Sequence, residues 1–335
     1  MAEGCVMCTK GSKMVLFVTG LCDTGCPYCP VSPEKKGKDV ICANELRVND
    51  LDEVFLEAEA MDAEGTGITG GDPVLTLDRT VKFIRVLKER YGKGHHIHLY
   101  TSTIDLDKTR VLADAGLDEI RFHPPTGMWS KLGDTDLNEI VKIDGLKVGL
   151  EVPALPDRAD DLAKLVRDAG GIGVHFINLN ELEFSESNWD MMSSYEVKDD
   201  VSAAVLGSRD LAHELLKMSE IPIHFCSSSF KDSVQLRRRL IRRAEHTARE
   251  MDVITEDGTM IVGILYAEDA REAADLLKRS YDVPDELMCV CPDGKRMEVA
   301  PWVLEELAGE LPFRCYISER YPTSDGLEVE RTPLN

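Results

Sequence analysis

The chain has 335 residues, 43% of them hydrophobic, and carries a formal charge of −22 at pH 7. That is enough for one large α/β domain with a smaller companion, and it excludes wholesale disorder. No run of about eighteen apolar residues offers a membrane span, and the start, Met1 to Cys5, has no basic segment leading into an apolar one. The expectation is therefore a cytoplasmic protein. Its charge disfavours broad, non-specific binding to nucleic-acid phosphates and is tolerated best where salt screens it.

In chain order, short apolar runs alternate with amphipathic helical patterns over 13–225. Strands are predicted at 14–19, 67–69, 96–101, 119–123, 147–152, 174–179 and 221–225. Helices are predicted from Asn49 onward, over 77–91, 107–115, 137–143 and 159–169, and within 203–218. Alternation of this kind means parallel strands joined by helical crossovers, with ligands bound at the carboxyl ends of the strands. The pattern changes after residue 230. A long helix over 231–250 carries Arg237, Arg238, Arg239, Arg242, Arg243 and Arg249, and an Asp-Gly hairpin follows at 253–265. A helix over 271–281, a strand at 287–290, a helix from Trp302 and a strand at 313–318 complete a small α+β domain. The division is thus 1–12, an N-terminal Cys-x-x-Cys segment; 13–230, the strand–helix core; and 231–335, the extension.

Ten cysteines in a reducing compartment point to metal or redox chemistry rather than to disulfides. Cys22-Asp-Thr-Gly-Cys26-Pro-Tyr28-Cys29 lies just after the first strand. Three thiolates at this spacing can hold three irons of a [4Fe–4S] cube and leave the fourth iron open to a small molecule. Ile68-Thr-Gly70-Gly71-Asp72-Pro73 ends the second strand. Two glycines allow close backbone approach to a ligand, and the adjacent carboxylate suits an ammonium group. Taken alone, the thiols would also fit a zinc site or an electron-transfer cluster, and the Gly-Gly-Asp-Pro run a simple turn.

Together, in this order, the two motifs resemble the radical S-adenosylmethionine superfamily. Its signature is this cysteine spacing with an aromatic residue, here Tyr28, before the last thiol; a Gly-Gly-Glu-Pro run ends its second strand, and Asp72 replaces the Glu. The likeness covers about residues 13–225. It is nearest to the branch of the pyruvate formate-lyase activating enzyme, in particular an archaeal group. The resemblance implies a partial (β/α)6 barrel, a [4Fe–4S] cluster on Cys22, Cys26 and Cys29, and S-adenosylmethionine bound with help from Gly70, Gly71, Asp72 and Pro73. It also implies a low-potential donor of ferredoxin or flavodoxin type, and reductive cleavage to a 5′-deoxyadenosyl radical that abstracts hydrogen from a substrate. By the same analogy, polar residues at later strand ends contact the cofactor. Ser102, Glu151 and Asn180 are the first choices, with Thr103, His123, Asn178 and Glu181 behind them. Glu151 stands in an otherwise apolar strand, where a charge needs a partner.

Three further readings stay open. Cys5 and Cys8, with Cys226 at the end of the seventh strand, would make a second iron–sulfur or zinc site; Cys289 and Cys291 are further contributors, and ordinary thiols or a redox pair are the alternative. The arginine-rich helix, with Lys35, Lys36 and Lys38, would receive an anionic substrate such as a phosphorylated metabolite or RNA, or would simply pair with the acidic body. The reaction would be hydrogen abstraction from a small molecule, peptide or RNA, activation of a glycyl-radical partner protein, or electron carriage without catalysis.

Overall fold

A computed structural model describes all residues from Met1 to Asn335. One sheet contains Lys13–Phe17 (β1), Cys42–Ala43 (β2), Leu46–Arg47 (β3), Gly65–Thr69 (β4), His96–Thr101 (β5), Glu119–Phe122 (β6), Lys147–Ala154 (β7), Phe176–Glu181 (β8) and Ile223–Cys226 (β9). The order is β3-β2-β1-β4-β5-β6-β7-β8-β9. From β1 through β4 to β9 all neighbours are parallel, and β2 with β3 forms a short antiparallel hairpin beside β1. Sequential, unpermuted parallel strands with helical crossovers make an open, partial (β/α) barrel. Six strands build the expected barrel and β9 continues it, where a seventh apolar run was read.

The central strands alternate: Ile120, Phe122, Val148, Leu150, Val152, Ile177 and Leu179, on one face, are fully buried, and the positions between them carry polar side chains such as His98, Glu119, Arg121 and Asn178. The covering helices present one apolar stripe each. Leu77–Tyr91 buries Val81, Ile84 and Leu87, and Ala159–Ile172 buries Leu162, Leu165, Val166 and Ala169, the face that the sequence spacing marks.

The first residues, expected only as a thiol segment, form a helix, Glu3–Lys10. It packs against β1, β4 and β5. A Cβ added at Gly4 would stand 2.4 Å from His98 Nδ1 and 2.7 Å from the Arg121 guanidinium, so only glycine lets the helix come this near the sheet's polar side chains.

Contacts divide the chain into two units, Met1–Ala58 with Ala63–Leu236, and Glu59–Asp62 with Arg237–Asn335. The second unit is an antiparallel sheet of Val253–Ile254 (β10), Met260–Tyr266 (β11), Met288–Val290 (β12), Arg296–Val299 (β13), Arg314–Arg320 (β14) and Glu328–Pro333 (β15). Its order is β12-β13-β11-β14-β15, and β10 pairs with β11. Helices Ala270–Tyr281 and Pro301–Leu307 bury Leu277 and Leu304 with Leu265, Met297, Val299 and Cys315 of the sheet. Neither β13 nor β15 was predicted. β13 is four residues long, and every residue of β15 is exposed, so no alternation marks it.

The single helix expected over 231–250 is broken. Lys231–Leu236 is a wide π turn and the α-helix proper is Arg237–Thr247. Ser233 Oγ donates to the Ser229 carbonyl at 2.6 Å, a side-chain bond that competes with regular helix pairing. Four of the arginines here are engaged within their own unit. Arg237 binds the Glu256 carbonyl and Asp257, Arg242 the Asp62 carboxylate at 2.6 Å, and Arg243 the Pro322 carbonyl; Arg249 reaches Asp252 and Glu298 at 2.7 and 2.6 Å. For these four it is the paired arrangement. No helix is long and apolar enough to cross a membrane.

Candidate active site on the three-cysteine loop

β1 runs out into a loop that carries Cys22, Cys26 and Cys29. Its return is tied down at Gly20, which exchanges backbone bonds of 2.8 Å with Gly37 and Lys38. Thr19 Oγ1 donates to Asp39 at 2.9 Å, and Arg79 clamps the same carboxylate and holds its pKa down at about 2. The end of β4 is strapped to the loop as well: Gly71 N–H donates to the Thr19 carbonyl and Asp72 N–H to the Leu21 carbonyl, both at 2.7 Å. A Cβ at Gly70 would lie 2.4 Å from the Thr19 oxygen, and one at Gly71 2.3 Å from the Leu21 oxygen. The glycines are needed because another backbone occupies the space. Gly71→Ala is expected to push Leu21, and with it Cys22, out of place. Iron and sulfide per chain after anaerobic reconstitution should fall by more than half; wild-type loading would show that the loop yields without cost.

Cys22, Cys26, Tyr28 and Cys29 line one side of a cavity of about 550 Å³, a size suited to a nucleoside-bearing ligand. Gly70, Gly71, Ser102, Glu151 and Asn180 line the rest with Tyr100 and His123. Asp72 and Pro73 do not reach it. Asp72 is 2% exposed and its carboxylate accepts from Thr101 Oγ1 (2.6 Å), Ser102 Oγ (2.7 Å), Thr103 Oγ1 (2.8 Å) and Val74 N–H (3.0 Å). The side chain expected to meet an ammonium group instead caps the turn Pro73–Thr76. Aspartate, a methylene shorter than glutamate, is drawn onto the adjacent hydroxyls and the turn's free N–H. The backbone of Gly70 and Gly71 faces the cavity in its place.

The cavity wall at Glu151 carries a buried charge network. Glu151 accepts from Arg121 (2.9 Å), Asn178 (2.9 Å) and Asn180 (3.0 Å). Burial works against its ionisation, but the Arg121 charge and the amide bonds hold its pKa below the usual value. Arg121, fully buried, also pairs with Glu119 and donates to Tyr100 Oη at 3.1 Å. Sequence reasoning missed Arg121, although Glu119 and Arg121 interrupt an apolar strand as Glu151 does. Glu181 serves the scaffold, held by Arg209 at 3.1 Å and by the Ser228 N–H at 2.9 Å.

His123 links the loop to this wall. Its Nδ1 lies 2.7 Å from the Glu151 carbonyl, which can only accept, so Nδ1 carries a proton; Nε2 stands 3.2 Å from Tyr28 Oη. Burial opposes ionisation of Cys26, yet hydrogen bonds from His123, Thr24 and Tyr28, with the charge of His123, bring its thiol down to about 7. A thiol so placed is ready to serve as a metal ligand.

Cys5, Cys8 and Cys226 are near enough for their charges to act on one another. Cys5 Sγ accepts from Asn178 Nδ2 at 3.0 Å, and burial pushes Cys226 up to about 12. Cys289 lies on β12 of the smaller unit and Cys291 directly after it, where Arg296 Nε stands 3.3 Å from Cys291 Sγ. No three His, Cys, Asp or Glu side chains converge as a closed ligand set, the Cys22–Cys29 loop included.

Three thiols, one of them predisposed to ionise, beside a cavity cradled by two tightly packed glycines fit an iron–sulfur cluster with a bound nucleoside. The radical SAM superfamily model matches residues 16–127, and a domain of unknown function (DUF8061) matches residues 258–334. The chain belongs to the radical SAM superfamily and is an enzyme of that class, with the [4Fe–4S] cluster and S-adenosylmethionine that the family implies. It is 39% identical over 358 residues to a protein of Methanocaldococcus jannaschii named "Putative glycyl-radical enzyme activating enzyme MJ0021", covering 99% of this chain and 92% of the other. Solved structures with a similar fold include Streptococcus suis SuiB bound to its precursor peptide SuiA (14% identity, TM-score 0.45) and HydG, a maturase of the [FeFe]-hydrogenase (14%, 0.41). They match 74% and 71% of this chain; it spans 58% and 65% of theirs, less than two thirds of each.

Proposed function

We propose that the protein is an activating enzyme that installs a radical on a glycine of a partner protein. The observation that carries this reading is the identity of 39% over nearly the whole of both chains to a relative bearing such a name; the likeness is not confined to the shared barrel. A surface feature supports it. The segment after β8 exposes Trp189, Met191, Val197, Val201 and Leu206, apolar side chains that a partner protein would cover. Its first residues are hydrogen-bonded to the cysteine loop.

Cys22, Cys26 and Cys29 would hold the cluster, whose chemistry, once it is reduced, is one-electron cleavage of S-adenosylmethionine to a 5′-deoxyadenosyl radical. The Gly70–Gly71 backbone, Ser102 and Asn180 would bind the polar groups of the cofactor, and the fixed carboxylate of Glu151 would orient a hydroxyl or ammonium group against the wall. The half-enclosed cavity keeps bulk water from a reactive carbon. The electron would come from a low-potential ferredoxin or flavodoxin, and the reaction would take place in the cytoplasm.

The test is anaerobic. Reconstituted protein, dithionite and S-adenosylmethionine are mixed with each candidate partner protein encoded beside the enzyme. A glycyl-radical EPR doublet, with one 5′-deoxyadenosine formed per radical, is the expected result. Turnover of 5′-deoxyadenosine driven by a small metabolite, with no protein radical, would replace this reading by small-molecule chemistry. Reduction and reoxidation with no S-adenosylmethionine cleavage under any condition would leave an electron carrier.

A further inference from the structure

The last cysteine of the loop is gripped from a distance of 158 residues along the chain. Ser187 Oγ donates to the Cys29 carbonyl at 3.1 Å. Asn188, fully buried, donates through Nδ2 to the Tyr28 carbonyl at 3.2 Å and to the Glu183 carbonyl at 3.1 Å, while its Oδ1 accepts from Ser185 N–H at 2.7 Å. The Tyr28 oxygen and the Cys29 nitrogen belong to one peptide plane, and Cys29 N–H itself donates to the Cys26 carbonyl at 3.2 Å. That plane is therefore fixed at both ends. Ser187 fixes the next one, between Cys29 and Pro30. With both flanking peptides held, the direction of the Cys29 Cα–Cβ bond is held too.

The donors are themselves rigid. Asn188 N–H and Trp189 N–H both donate to the Ser185 carbonyl, at 3.3 and 3.1 Å, and Ser185 Oγ lies 3.0 Å from Ser187 Oγ. Phe184 and Trp189 pack their rings 4.9 Å apart beside this turn. Lys231 anchors Glu183 at 2.8 Å. None of these bonds belongs to the pairing of the parallel strands, since β8 ends at Glu181.

We propose that Ser187 and Asn188 are positioning residues for the metal centre, a clamp that fixes the backbone on both sides of Cys29 and so limits the directions its thiol can take. A loop with several glycines and prolines would otherwise sample many arrangements, and each would have to be given up on assembly. The proposal depends on the family's cluster and not on the glycyl-radical reading, and it holds whichever substrate is found.

The experiment uses the full chain in two states. In the metal-free protein, alkylation of Cys29 by iodoacetamide is followed by peptide mass mapping, with exposed Cys22 as the internal reference and buried Cys5 and Cys226 as reporters of global unfolding. In the reconstituted protein, iron release to a strong chelator is timed. Ser187→Ala and Asn188→Ala should each raise Cys29 alkylation and iron release several-fold to about tenfold, the factor for one lost hydrogen bond, and Ser187→Thr should restore both. Cys5 and Cys226 should stay unreactive. Should Asn188→Ala loosen the whole fold, Cys5 and Cys226 will react as well, and Ser187→Ala, which leaves Asn188 and its bonds in place, then decides. Cys29 alkylation and iron release within twofold of wild type in Ser187→Ala would overturn the clamp.

Discussion

Replacing Arg121 with methionine is expected to lower the unfolding free energy at pH 7 by about 3–5 kcal/mol, the usual cost of removing one partner from a buried ion pair. Arg121 serves two carboxylates, Glu119 and Glu151, and is itself 1% exposed. Its loss would strand both anions, with only the Asn178 and Asn180 amides left on Glu151. The pH dependence checks the cause. In the wild type the folded pKa of Glu151 is depressed, so its contribution is present above the unfolded value of about 4.3 and is lost as the pH falls through the lower folded value. In the variant burial dominates and the folded pKa rises. The unfavourable contribution then grows as the pH rises from the unfolded value through the folded one. Denaturant titrations at pH 5 and 7 should thus show a larger gap between the two proteins at pH 7. A gap independent of pH would assign the loss to packing.

Cys26→Ala is expected to abolish S-adenosylmethionine cleavage, with 5′-deoxyadenosine at the level of a protein-free control. Three thiolates are the minimum that holds the cube while leaving one iron open, and Cys26 is the thiol with the lowered pKa. The paired variant Cys5→Ala/Cys8→Ala separates the two sets of cysteines. A second cluster on Cys5, Cys8 and Cys226 predicts about eight irons per wild-type chain, falling to about four in the pair with cofactor cleavage retained. About four irons in both would remove that site and leave buried thiols, of which Cys5 serves as a partner for Asn178.

Much of the site was legible because its parts are local. The cysteine spacing, Tyr28 and the paired glycines each lie within one short segment, and each segment follows a strand, the apolar β1 at Lys13–Phe17 and the short β4 at Gly65–Thr69. The helices at Leu77–Tyr91 and Ala159–Ile172 were legible from spacing alone. Glu151 was found by a rule that would have found Arg121 too: a charge inside a buried strand must have a partner. The helix Glu3–Lys10 went unread because its cysteines drew a metal reading, and its weak amphipathic pattern gave no counter-signal.

By itself, then, the sequence determined the class of chemistry, through thiols and glycines whose geometry is set by neighbours a few residues away. Tertiary structure decided how those groups are held. It turned Asp72 from a ligand into the cap of a turn, because three hydroxyls and a free N–H lie within a short side chain's reach. It closed Arg237, Arg242 and Arg243 onto partners in their own unit. It brought Ser187 and Asn188 onto Cys29 and Tyr28 across 158 and 160 residues. Such bonds leave no periodicity to read, since only the assembled sheet sets the turn after β8 beside the loop that leaves β1.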